Sequence, residues 1–278
     1  LASAKRVAEN NSLAEVFIFH QKPRRHFLFF FPLRDGEFYY YRNGQLLSNE
    51  LYWRDQEQSN FDLEVELYRR FRINNQREMV SMFLYFGHEI PEFSIAGYDA
   101  SYPDRTFTIH DLASGLKGFT SDSTRFDLLV LSTCYGGTPY TIGMLGSYAR
   151  TIIASPDNLH LSYFDLNSLE SLGIRLQDGD VTAFANRFAR QSFDRLTGDI
   201  QTAVSVAVYE IDGAQEYLHS VYTTYENTLN TLNEKTQTFL SKIEHCDCAD
   251  IPAYVLPTMN SGVKVFYRPA LFGRTKNK

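Results

Sequence analysis

Residues 127–137 read DLLVLSTCYGG, an apolar run of strand length that drives into Cys134 and is followed, one residue on, by two glycines. A continuous apolar run closed by a turn signal predicts a strand buried on both faces, as in a parallel sheet. Cys134 at its end has two readings. It is either a small core filler, as free cysteines commonly are, or a group displayed at the carboxyl end of a strand, where open α/β sheets place their chemistry.

The flanks of this strand support a sheet of that kind. Upstream, TIHDLASGLKGF (108–119) spaces Ile109, Leu112 and Leu116 as one face of a helix, and EMVSMFLYFGHE (78–89) contains a second apolar strand, Met79 to Phe86, closed by Gly87 and His88. Downstream, IGMLGSYAR (142–150) reads as a helix leading into the strand TIIAS (151–155). Strand, helix, strand, helix, strand predicts a parallel sheet with right-handed crossovers. Further out, helices are expected in 60–75, 181–196 and 212–245, and strands in TAVSVAVYEI (202–211) and GVKVFYRP (262–269). The aromatic-rich start predicts strands over 15–20, 26–32 and 37–42, the last two forming a hairpin around RDGE because Asp-Gly supplies positive φ. No repeat, low-complexity tract or linker interrupts the chain, so a single domain over 1–278 is predicted.

Composition narrows the class. At 44% hydrophobic residues and a net charge of -6 the chain is an ordinary globular one, and no lysine and arginine stripe invites nucleic acid. No apolar run approaches the roughly 20 residues of a membrane-spanning helix. The chain opens LASAKR without an initiating methionine, which predicts that an amino-terminal segment has been removed and is compatible with a secretory signal. Three cysteines are too few for a disulfide scaffold. Cys246 and Cys248 in EHCDCAD lack the second ligand pair of a zinc knuckle and read as loop residues.

Two apolar strands thus end in reactive side chains, His88 and Cys134. In a parallel sheet their carboxyl ends lie at one edge, and adjacent strands would bring a thiol and an imidazole into the arrangement that nucleophilic catalysis needs. A thiol attacks only as the thiolate, which a neighbouring imidazole favours. Backbone N–H groups near Cys134 and after His88 would receive an oxyanion. Gly136 and Gly137 are expected to keep the turn clear for a substrate backbone. No Gly-x-Ser-x-Gly elbow, P-loop or dinucleotide fingerprint competes with this reading.

MFLYFGHE, a helix, and then FDLLVLSTC is a pattern similar to the caspase-like cysteine peptidases. Within that group the chain resembles the clostripain family, through TIHDLASGLKGF, SYARTIIASPD and the closing GVKVFYRP. The likeness runs from about residue 60 to 170, fades toward 270, and is poor over the first 55 residues. It implies a three-layer α/β/α sandwich with a mostly parallel central sheet. It also implies a dyad of His88 as base and Cys134 as nucleophile, cutting peptide or protein substrates through an acyl-enzyme. A bacterial protein that is secreted, periplasmic or on the cell surface is expected, with a monomer as the working expectation.

Departures from the family pattern set further expectations. Glu89 follows the histidine where glycine is usual, although its amide, beside that of Gly87, would still serve an oxyanion. Ser132 and Thr133 precede the cysteine where Asp-Ala is usual. Both are candidate substrate contacts, but a neutral serine does not supply the charge that a buried guanidinium needs. Asp157 and Asp165 are the replacement acids, with turn capping as the competing role. Arg105 in YPDRTF would be a self-cleavage site if basic specificity holds. Clostripain is linked to calcium, but RLQDGDV (175–181) falls short of a calcium loop, so no cofactor is expected. The alternative to a peptidase is a pseudo-peptidase of the same fold that binds peptide or protein.

Overall fold

The computed structural model describes residues 1–28, 30–54, 61–73, 80–93, 98–120, 124–159, 166, 169, 178–234 and 262–271. After α1 (Ala2–Asn10) come β1 (Glu15–Gln21), β2 (His26–Phe27), β3 (Phe31–Pro32), β4 (Gly36–Arg42), β5 (Gln45–Tyr52) and α2 (Asp62–Phe71). β4 pairs antiparallel with β1 on one side and β5 on the other, while β2 and β3, among the described residues, pair only with each other. The expected hairpin around RDGE is therefore corrected. Asp35 is buried as an acceptor for Arg54, and a Cβ on Gly36 would lie 2.4 Å from the Tyr52 ring, so this dipeptide is a packing point. The turn sits instead at Asn43-Gly44, whose φ values of 52 and 78 are those a tight hairpin demands.

Strand alternation splits the aromatic residues between two helices. Phe38 and Tyr40, with Phe17 and Phe19, pack on Leu67 and Phe71 of α2, while Tyr39 and Tyr41, with Val16 and Ile18, pack on Ala8 of α1. The clasp at the edge of this sheet is polar. The Arg54 side chain is 5% exposed and reaches Asp35 (1% exposed) at 3.2 Å and Asp99 at 2.5 Å. It also donates to the Lys22 carbonyl at 3.1 Å. Tyr102 donates its hydroxyl to Asp35, and burial together with that carboxylate pushes its pKa up to about 12, so it remains a donor.

The second half builds the main sheet from β6 (Met82–Phe86), α3 (Ile109–Phe119), β7 (Phe126–Ser132), α4 (Pro139–Leu145), β8 (Ala149–Ala154), α5 (Asp178–Asp199), β9 (Val204–Glu210), α6 (Ile211–Glu234) and β10 (Val263–Arg268). Its order is β10-β9-β8-β7-β6. β6, β7 and β8 are parallel neighbours, and β9 runs antiparallel to both β8 and β10. Alternate residues face opposite layers. Leu129, Leu131, Ile152 and Tyr209 meet α3, α4 and the start of α6, whereas Leu128, Val130, Ile153 and Val206 meet α5. This is a mixed, mostly parallel sheet between helical layers; the apolar runs predicted the parallel neighbours, and the antiparallel β9 departs from that expectation.

Phe119 of α3 joins the two sheets, with ring centroids 6.1 Å from Phe19, 5.3 Å from Tyr68 and 5.6 Å from Phe83. α3 opens with a capping box between Thr108 and Asp111. α4 begins earlier than its apolar spacing suggested, because Thr138 caps it and Pro139 fits its first turn. Of the helix expected over 212–245, the residues beyond 234 lie outside those described, as does EHCDCAD.

Candidate active site

In the β6–β7 pair Phe86 stands opposite Ser132, at the carboxyl ends of adjacent parallel strands. His88 and Cys134 each lie two residues beyond that pair, so both leave the same sheet edge at the same height. His88 is exposed and Cys134 is half-buried. The chain reverses directly after the cysteine at Tyr135, whose φ of 51 is uncommon for a side-chain-bearing residue. Such strain survives only where the surroundings enforce it.

The enforcement comes from the end of β8. The Gly137 N–H donates to the Ser155 carbonyl at 2.7 Å and the Tyr135 N–H to the Asp157 carbonyl at 3.1 Å. The buried Tyr209 hydroxyl, its pKa raised by burial and then by Tyr217, donates to the Gly137 carbonyl at 2.8 Å. Ser155 Oγ donates to the Asp157 carbonyl at 2.8 Å, and the Asp157 carboxylate accepts the Asn158 N–H at 2.7 Å. The result is to set Asn158 against the thiol. Cys134 Sγ donates to Asn158 Oδ1 at 2.9 Å.

The histidine loop is fastened to the same region. The Ile109 N–H donates to the Pro91 carbonyl at 2.9 Å, and Ile90 is buried in the core below. Thr138, the cap of α4, donates its hydroxyl to Glu92. Phe93 and Tyr140 have ring centroids 5.8 Å apart. The loop that follows His88 and the helix that follows Cys134 are thereby joined.

Several expectations change on contact with this geometry. Gly136 and Gly137 are buried, and they do not clear a path for substrate. A Cβ on Gly137 would lie 2.8 Å from Pro156 N, and one on Gly136 would lie 2.6 Å from Thr133 Oγ1, so the glycines are needed for close packing of the turn. The Gly87 N–H is engaged with the Ser132 carbonyl at 3.4 Å and is not a spare oxyanion donor. Glu89 is exposed, and its amide makes no hydrogen bond among the described residues. Ser132 and Thr133 are 0% and 1% exposed, so their side chains point into the protein and not toward a ligand. Neither hydroxyl has a partner among the described residues. The Asp157 carboxylate caps a local turn, and Asp165 lies outside the described residues. Arg105 is half-buried in a turn, its N–H donating to the Tyr102 carbonyl at 3.0 Å.

Among the described residues no hydrogen bond joins His88 to Cys134. Asn158, Tyr209 and the Glu92–Thr138 link were not anticipated. Only Asn158 left a local trace, in the turn-forming SPDN (155–158). Among the described residues no group of three His, Cys, Asp or Glu side chains lies close enough to hold a metal ion.

The bond to Asn158 has a measurable consequence. The amide oxygen occupies the thiol hydrogen, and that bond has to break before Sγ can turn to an attacking partner. Asn158→Ala is expected to alkylate with iodoacetamide at neutral pH about threefold or more faster at Cys134 than the wild type. An unchanged or slower rate would show that the amide does not hold the proton.

No protein-family model matches the chain, and no curated protein does. Solved structures do. A secreted C11 cysteine protease from Bacteroides thetaiotaomicron, bound to an irreversible peptide inhibitor, matches with a TM-score of 0.53 at 11% identity over 82% of this chain and 65% of that one. An inactive zymogen C11 protease from Parabacteroides distasonis matches with a TM-score of 0.51 at 15% identity, over 87% of this chain and 63% of that one. A further structure from B. thetaiotaomicron, of the secreted C11 protease iotapain, gives a TM-score of 0.50 at 13% identity over 82% and 64%. The chain spans slightly under two thirds of the length of each. At such identities the likeness is one of fold, and the fold of this chain is that of the C11, clostripain-like cysteine proteases.

Proposed function

We propose that this chain is a cysteine endopeptidase in which His88 is the general base and Cys134 the nucleophile. The observation that carries the reading is the register of β6 and β7, which sends both residues off one sheet edge from paired positions. His88 takes the thiol proton and Cys134 Sγ attacks the peptide carbonyl carbon. As the C–N bond breaks, the imidazolium returns its proton to the leaving amine, leaving a thioester. Water, deprotonated by His88, then hydrolyses the thioester and regenerates the thiol. The unengaged Glu89 amide is the candidate oxyanion donor. Because Ser132 is neutral and buried, a basic residue before the cut bond has no support from that position.

No helix among the described residues is long and apolar enough to cross a membrane. A secreted bacterial peptidase, as two of the structural neighbours are, is the setting we propose. A peptidyl acyloxymethyl ketone should add once to the wild type, mapped by peptide digestion to Cys134, and fail to add to Cys134→Ala. Labelling at Cys246 or Cys248, or no labelling, would overturn the assignment.

The Cys134–Asn158 hydrogen bond favours a second reading. A thiol whose partner is an amide and not an imidazole suits a pseudo-peptidase, which would bind peptide without forming the adduct.

A further inference from the structure

The short hairpin of β2 and β3 exposes apolar side chains that nothing in the described structure covers. Phe30 is 82% exposed, Leu28 and Phe31 63% each, Phe27 58% and Leu33 46%. Contiguous apolar surface of this kind marks an interaction site more often than scattered exposed residues do. The residues are held outward. The Leu33 N–H donates to the Arg25 carbonyl at 2.8 Å, the Lys22 N–H to the Asp35 carbonyl at 2.7 Å, and the Arg24 N–H to Ser101 Oγ at 2.9 Å. Leu28 sits beyond β2 with a φ of 48, a left-handed conformation that glycine or asparagine would take at lower cost. An apolar residue retained in a strained, exposed position is poorly explained by stability alone.

Charge separates this hairpin from the rest of the chain. Between Pro23 and Arg34 there are three arginines and no acidic residue, in a chain whose net charge is -6. Arg24, Arg25 and Arg34 are all exposed around the base of the apolar tip. Lys22 is already paired with Glu37, at 2.8 Å, and Asp35 is consumed by Arg54.

From this geometry we propose that the β2–β3 hairpin is a wedge that docks on an anionic lipid surface. Its aromatic side chains enter the interfacial layer while the arginine collar meets the headgroups. Aromatic residues and arginines are the groups that partition to that layer, and each basic residue adds attraction to anionic lipid that salt screens. A protein partner is the weaker fit, because a stable interface buries about 800 Å² on each side and this tip is two very short strands. The Arg24–Ser101 bond ties the hairpin to the segment following His88, so docking would turn that side of the molecule toward the membrane.

The test is co-sedimentation of the whole chain with vesicles of phosphatidylcholine alone and of phosphatidylcholine with phosphatidylglycerol, at low and high salt. The wild type should bind the anionic vesicles and lose affinity as salt rises. Phe30→Ser/Phe31→Ser and Arg24→Glu/Arg25→Glu should each bind about tenfold or more weakly, with unchanged melting temperatures. Three results would overturn the proposal. They are equal binding to neutral vesicles, anionic binding that both variants retain, and no vesicle binding at all, which would hand the face to a protein partner. A concentration-dependent dimer in sedimentation velocity, abolished by Phe30→Ser, would assign it to a second copy of this chain.

Discussion

His88→Ala is expected to slow peptide hydrolysis by about 10² to 10⁴-fold, the range supplied by a positioned acid–base group, while the melting temperature stays at the wild-type value. The two halves of the expectation have separate causes. His88 is exposed and makes no hydrogen bond among the described residues, so its removal opens no cavity and strands no buried partner. Its role in the proposed dyad is purely chemical, and without it the Cys134 thiol keeps Asn158 as its partner among the described residues. Progress curves on a peptide mixture, run beside iodoacetamide labelling of Cys134, measure both. Equal turnover and equal labelling in the variant would remove His88 from the mechanism.

Arg54→Met is expected to destabilise the protein by about 3–5 kcal/mol, the usual cost of leaving a buried charge without its counter-ion. Asp35 would retain the Tyr102 hydroxyl and the residue-54 backbone N–H but lose its guanidinium in a site where it is 1% exposed. Asp99 and the Lys22 carbonyl would lose partners at the same time. The double variant Asp35→Asn/Arg54→Met should recover part of the loss, since the uncompensated charge disappears with it. Urea denaturation of the three proteins measures the effect. Should the single and double variants unfold at the same midpoint, the ion pair would not be the source of the stability.

How far the sequence foretold this molecule depended on how local each cause was. β7 and β9 were legible because strands buried on both faces read as unbroken apolar runs, β6 because its half-buried apolar residues pack on both layers, and α3 because Ile109, Leu112 and Leu116 mark a helical face. The direction of β9 was not legible, since its valines are buried whichever way the strand runs. Asp35-Gly36 looks like a turn because the ion pair that makes it a packing point comes from Arg54, beyond the local window, whereas Asn43-Gly44 carries the true turn signal. The same division holds in the site. The strand ends announce His88 and Cys134, but Asn158, Tyr209 and the Glu92–Thr138 link arise only when β8, β9 and α4 are brought beside them.

The fastening of the cysteine turn to residues 155–157 has a bearing on descent. Two of its ties, from Tyr135 and Gly137, run from backbone N–H to backbone carbonyl and are indifferent to side-chain identity. The side chain at Tyr135 can therefore change while the sulfur stays in place, whereas Gly137 admits no Cβ because it would meet Pro156 N at 2.8 Å, and proline, which has no N–H to give, fits neither donor position. A turn held largely through its backbone thus leaves little trace in the sequence that encodes it.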